Sequence, residues 1–86
     1  MRFVKKAIVV EAHHNIMFAE CPQWLNEAME AGTVRVHPTD GRVLLIDTAE
    51  GTMEAGYGDW IIKGIKGELY PCKDDIFQAT YERVEG

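Results

Sequence analysis

Short apolar runs alternate with polar or glycine-rich breaks along this chain, and the spacing inside each run separates strands from helices. FVKKAIVVEA, Phe3 to Ala12, places Ile8, Val9 and Val10 in a β-branched series with few turn formers, which predicts a long first strand. In CPQWLNEAMEAG the apolar residues Trp24, Leu25, Ala28 and Met29 recur at i, i+1, i+4 and i+5, the spacing of an amphipathic helix. Pro22 suits a first helical turn, where its missing N–H leaves no bond unmade, and Gly32 suits the left-handed residue that ends a helix. TVRVHP alternates Val34 and Val36 with Thr33, Arg35 and His37, and RVLLIDT follows the Asp40-Gly41 turn signal. These two segments read as a hairpin. Thr52 to Ala55, between Gly51 and Gly56, reads as a weaker strand.

GDWIIKGIKGELYPCKDDIF, Gly58 to Phe77, continues the pattern as a second hairpin. Gly58-Asp59 turns the chain into a strand from Trp60 to Lys63, Gly64 and Gly67 permit the turn, and Glu68 to Cys72 return alongside. Trp60 and Ile62 share one face of that strand and are expected in the core, with Ile61 and Lys63 on the other. Asp74 or Asp75 is placed to accept an open amide at a helix start, and Phe77 and Tyr81 are one turn apart. No repeat, low-complexity tract or linker interrupts residues 1–86. The expected class is α+β: one small domain, a twisted antiparallel β-sheet with the Trp24 helix packed on a face and a short C-terminal helix.

Composition narrows the function classes. With 86 residues, 47% of them hydrophobic and 27% charged, the chain suits one folded domain and one core. A net charge of −5 opposes long-range attraction to duplex nucleic acid. The charge is uneven: Arg2, Lys5 and Lys6 form one basic cluster and Lys63, Lys66 and Lys73 a second, with most carboxylates between. Such clusters serve either a local anion site or solvated edges that discourage strand pairing. No segment has the apolar length of a membrane span, and Met1 to Val10 lacks the apolar region and cleavage site of a secretory leader. A cytoplasmic location is expected.

Catalytic patterns are weak. Cys21 and Cys72 lack metal-ligand spacing and read as packing residues in a reducing compartment. His13 and His14 are neighbours on a strand end and point to opposite faces, while His37 sits beside a turn; all three read as surface or turn residues. Glu50, Glu54, Asp59 and Glu68 lack a fixed spacing for acid–base or metal chemistry. Gly56-Tyr57-Gly58-Asp59 is neither a full GxGxxG nor a Walker loop and reads as a turn. The expectation is a protein with no enzymatic activity, no metal and no cofactor. The remaining candidate is a binding surface: Trp24 and Tyr70 offer flat faces, and Lys63, Lys66 and Lys73 lie on or near the second hairpin. An anion such as a nucleotide phosphate, or an acidic protein patch, is the ligand class they suggest. Each also has a plain structural reading, Trp24 as helix anchor, Tyr70 as a half-buried strand residue and the lysines as solvated positions.

RFVKKAIVVEA at the start, CPQWLNEA, and IDTAEGTMEAGYGDWIIKGIKGELYPCKDDIFQATYE at the end together resemble small proteins encoded by many bacteriophages and prophages. Those proteins typically open on an Arg-x-Lys-Lys-Pro-Val-Val-Val-Glu-Ala-like segment. They close on Gly-Asp-Trp/Tyr-Ile, Gly-Glu-x-Tyr-Pro-Cys-Lys and Asp-Ile-Phe-x-x-Thr-Tyr-Glu. The resemblance is most specific from Gly51 to Glu82 and weakest from His13 to His37, and it departs from the pattern at Ala7, where Pro is usual, and at His13-His14, where an aromatic or Gln is common. It implies a phage origin and the cytoplasm of a bacterial host. With no catalytic pattern, the function it suggests is binding: countering host defence by engaging a host protein or sequestering a small nucleotide, the latter between subunits of a homo-oligomer. The alternative is a structural or morphogenesis accessory protein that acts through an exposed sheet edge.

Overall fold

The computed structural model describes residues 1–4 and 6–84. Eight elements follow one another: β1 (Glu11–His14), α1 (Gln23–Ala31), β2 (Val34–Val36), β3 (Leu44–Thr48), β4 (Gly51–Ala55), β5 (Trp60–Lys63), β6 (Leu69–Cys72) and α2 (Asp74–Thr80). The α+β class holds, with one main helix and a short C-terminal one. The strands form two antiparallel three-stranded sheets, ordered β1-β5-β6 and β2-β3-β4, in place of a single continuous sheet. Two short sheets follow from the turns. Each hairpin closes on itself, and the edge strands β6 and β4 approach each other without a ladder between them.

Local signals set the element ends. Helix α1 starts after Pro22 and stops at Gly32, whose φ of 83° is the left-handed conformation, and the Thr33 N–H donates to the Ala28 carbonyl at 3.0 Å. Between β3 and β4 the Thr48 hydroxyl accepts the Glu50 N–H at 3.1 Å and donates to the Gly51 carbonyl at 2.7 Å, closing the turn. The β2–β3 connection closes through the His37 N–H to Val43 and the Val43 N–H to Asp40. At the start of helix α2 the capping position is Lys73, which has no side-chain cap, and of the two expected acceptors Asp75 takes an open first-turn amide, the Ile76 N–H, at 2.9 Å. Asp74 accepts the Trp60 indole N–H at 2.8 Å instead.

The expected long first strand is shorter and later than its β-branched content predicts. Glu11 pairs with Lys63, the last residue of β5, and beyond Lys63 the chain turns back through Gly64. The described residues before Glu11 therefore have no partner strand, and propensity alone does not make a ladder. Ile8 and Val9 lie outside regular structure and are exposed, as are Phe3 and Val4 at 85% and 93%.

Register determines which residues meet. In the second sheet Val34, Ile46 and Met53 lie opposite one another, as do Val36, Leu44 and Ala55, so all six share a face. Leu25 of α1 joins Val34, Ile46 and Ala55 of that face and Ile61 and Leu69 of the first sheet in the buried core. Trp24, Ala28, Cys21 and Leu44 pack around it. Trp60 shares its face with Ile62, as alternation predicts, but that face points away from this cluster and toward α2. Ile62 is fully buried there, while Trp60 is half-buried. No helix among the described residues is long and apolar enough to cross a membrane.

Candidate functional site

Trp24 and Ala28 are one turn apart on α1 and face the meeting point of the two hairpins, β3–β4 and β5–β6. A groove of about 760 Å³ opens there, with Trp24, Ala28, Met53, Leu69 and Pro71 along its apolar floor. Its walls are formed by residues of β6 and of the β3–β4 hairpin. The rim is acidic. Glu27 comes from α1, Glu50 from the β3–β4 turn and Glu68 from the β5–β6 turn, and none of the three forms an ion pair among the described residues. Glu27 accepts the Gln23 side-chain amide at 3.1 Å and Glu68 accepts the Lys66 backbone N–H at 3.4 Å, which leaves both charges in place.

A fourth carboxylate, Asp47, is already satisfied. It accepts from Arg35 Nη1 at 2.8 Å and from the Thr52 hydroxyl at 2.8 Å. The Arg35 bond holds the Asp47 carboxyl below the usual carboxylate range, and the Arg35 guanidinium is raised in return. Lys63, the cation lining the groove, pairs with Glu11 at 3.7 Å.

The structure brings three of the sequence-predicted site residues, Trp24, Lys63 and Tyr70, to this groove. Lys66 is exposed on the β5–β6 turn. Lys73 lies at the other end of the same hairpin, because Lys63 pairs with Leu69 at the turn whereas Cys72 pairs with Trp60 at the open end. Its Nζ donates to Asp59 at 2.9 Å, and that hydrogen bond and ion pair raise the Lys73 ammonium above its ordinary value. Asp59 is 8% exposed and also accepts the Gly56 N–H at 2.8 Å, so this carboxylate ties the Gly56–Asp59 turn to the start of α2. The three lysines therefore form no common anion site.

On the opposite face of the first sheet an aromatic stack joins strands to α2. His14 and Trp60 are register partners whose rings lie 4.2 Å apart and 5° from parallel; Trp60 stacks on Phe77 at 3.9 Å and 9°, and Phe77 on Tyr81 at 5.1 Å. His14 Nε2 lies 2.9 Å from the Gly58 carbonyl, which makes it part of a packed stack and not a free surface group. Its neighbour His13 points to the other face, as alternation predicts, and burial pushes its pKa down. Burial likewise pushes both thiols, Cys21 and Cys72, up, which disfavours the reactive thiolate.

Tyr70 borders this stack, with its hydroxyl 3.4 Å from that of Tyr81. Burial, with the Tyr81 contact second, pushes the Tyr70 phenol up to about 12. An unfolded tyrosine ionises near pH ~10. The folded state thus retains a proton that the unfolded state loses, so stability present below pH ~10 declines as pH rises toward the folded value. The raised Lys73 ammonium acts with the same sign, its contribution being lost as pH rises through its folded value. Urea midpoints followed by circular dichroism between pH 9 and 12 should fall steadily, and Tyr70→Phe should make that fall shallower.

The sequence reading weighed Glu50 and Glu68 only for acid–base or metal chemistry and did not single out Glu27, because the three groove acids come from separate elements. Position in the two hairpin turns is the signal that marks Glu50 and Glu68, and Glu27 lies three residues from Trp24 on the same helix face. Comparison with protein-family models, curated proteins and solved structures finds no match.

Proposed function

We propose that the chain is a non-catalytic protein-binding module, of the kind a bacteriophage uses to occupy a host protein, and that it takes an extended segment of alternating cationic and apolar residues. The observation that carries this reading is the apolar floor of the groove, Trp24, Met53, Leu69 and Pro71, ringed by Glu27, Glu50 and Glu68, which form no ion pair among the described residues. Apolar side chains gain by leaving water against that floor, and Lys or Arg beside them meets Glu27, Glu50 or Glu68. A nucleotide phosphate would meet the same carboxylates with like charge, and the nearby Lys63 is already engaged by Glu11. The acidic rim thus favours a protein partner over a sequestered nucleotide.

Isothermal titration with a ten-residue peptide of alternating lysine and valine tests this. Saturable binding is expected, with none to the glutamate–valine counterpart or to ATP. Binding of ATP, or equal binding of both peptides, would overturn it. Capture from infected and uninfected cells then separates a host target from a phage assembly partner.

A further inference from the structure

The segment that precedes β1 has the chemistry the groove selects. MRFVKKAIVV carries Arg2, Lys5 and Lys6 among Phe3, Val4, Ile8, Val9 and Val10. Its large apolar residues are exposed, Phe3 at 85% and Val4 at 93%, and its β-branched run has no strand to pair with, because β5 ends at Lys63 opposite Glu11. The molecule measures 47 Å along its longest axis against 27 and 23 Å across. An extended arm of this length reaches about 30 Å, enough to cross to a neighbouring molecule.

We infer that the arm of a second copy of this chain occupies the groove, giving a dimer in which each arm lies in its partner's groove. The arm contributes positive charge where the groove contributes Glu27, Glu50 and Glu68, and it contributes apolar side chains to the floor around Trp24 and Leu69. Exchange between two copies satisfies both halves of the surface at once, since the two contacts are related by the same two-fold operation. Self-association then covers the site, and an outside segment must displace the arm. This inference rests on reading the groove as a site for cationic, apolar segments.

Light scattering on the full-length protein, with the lysine–valine peptide titrated against the same samples, provides the test. The wild-type chain is expected to be a dimer that dissociates in high salt. The full-length variant Phe3→Asp/Val4→Asp, whose changes lie outside the groove and the core, is expected to be a monomer with peptide affinity at least equal to wild type. Glu50→Lys/Glu68→Lys is also expected to be monomeric, and an equimolar mixture of the two variants should recover a heterodimer through the one remaining intact arm and groove. A monomeric wild type, or a Phe3→Asp/Val4→Asp variant that stays dimeric, would overturn the inference while leaving the groove reading standing if peptide still binds. Loss of peptide binding in a folded, monomeric Phe3→Asp/Val4→Asp variant would instead overturn the groove reading.

Discussion

Replacing Trp60 with alanine should lower the folding free energy by about 3 kcal/mol, the lower end of the range for truncating a large aromatic side chain. The indole is the middle layer of a stack, 4.2 Å from His14 and 3.9 Å from Phe77, and its N–H donates to Asp74 at 2.8 Å. No residue of α2 is fully buried, and the stack, the Trp60–Asp74 bond, the Lys73–Asp59 pair and the Tyr70–Tyr81 contact join the helix to the sheet, with Trp60 in two of them. Two turns of helix are not stable alone in water. Truncation should therefore release α2 first. Hydrogen exchange reads this directly: the Phe77 and Tyr81 amides, which donate to the Lys73 and Phe77 carbonyls, should lose protection, while Ile61 and Ile62 in β5 retain more of theirs. Retained protection at Phe77 and Tyr81 would show that α2 is held by something else.

The same variant series probes the acid side. The indole N–H is the largest influence holding the Asp74 carboxyl low, with the Gln78 amide second. A depressed carboxyl contributes stability that is present above its unfolded value and lost as pH falls through its folded one. Trp60→Phe keeps a ring in the stack and removes the donor, so it should raise the Asp74 pKa and make the protein less sensitive to acid than the wild type.

The second large effect concerns the groove. Reversing two rim charges, Glu50→Lys/Glu68→Lys, should weaken binding of a lysine–valine segment by at least about tenfold at low salt, since rim charges act through electrostatic complementarity. Both residues are exposed in hairpin turns and neither forms an ion pair among the described residues, so the fold should persist. The difference between variant and wild type should shrink in 1 M salt, where the screening length falls to about 3 Å. A salt-independent loss would point to a packing change in the groove floor.

Much of the fold was legible because its signals are local. Pro22 and Gly32 bound α1 through their own backbone chemistry, and the glycine-rich breaks mark the hairpins. Alternation correctly put Trp60 with Ile62 and His13 opposite His14. What alternation could not supply is the layer that covers a face: Trp60 meets His14 and Phe77, not the cluster around Leu25 and Ile61. The segment around Ile8 to Val10 shows the same limit, because a strand needs a partner and β5 ends too early to provide one. The candidate site was legible only in part. Trp24, Lys63 and Tyr70 all line the groove, but Tyr70 shares the Ile62 face and its hydroxyl meets Tyr81, and Lys73 is carried to the far end of its hairpin by the register and is bound to Asp59. The acidic rim depends on how α1 and two turns meet in space, which no spacing within one segment encodes.

The most direct measurement of the acidic groove as a site for cationic, apolar segments is a two-dimensional amide NMR titration of the full-length protein with the lysine–valine peptide. Shifts centred on Trp24, Glu50, Met53 and Glu68, absent on adding ATP, are the predicted result. Shifts confined to the Lys73 and Asp59 end of the hairpin, or an unchanged spectrum at millimolar peptide, would contradict it.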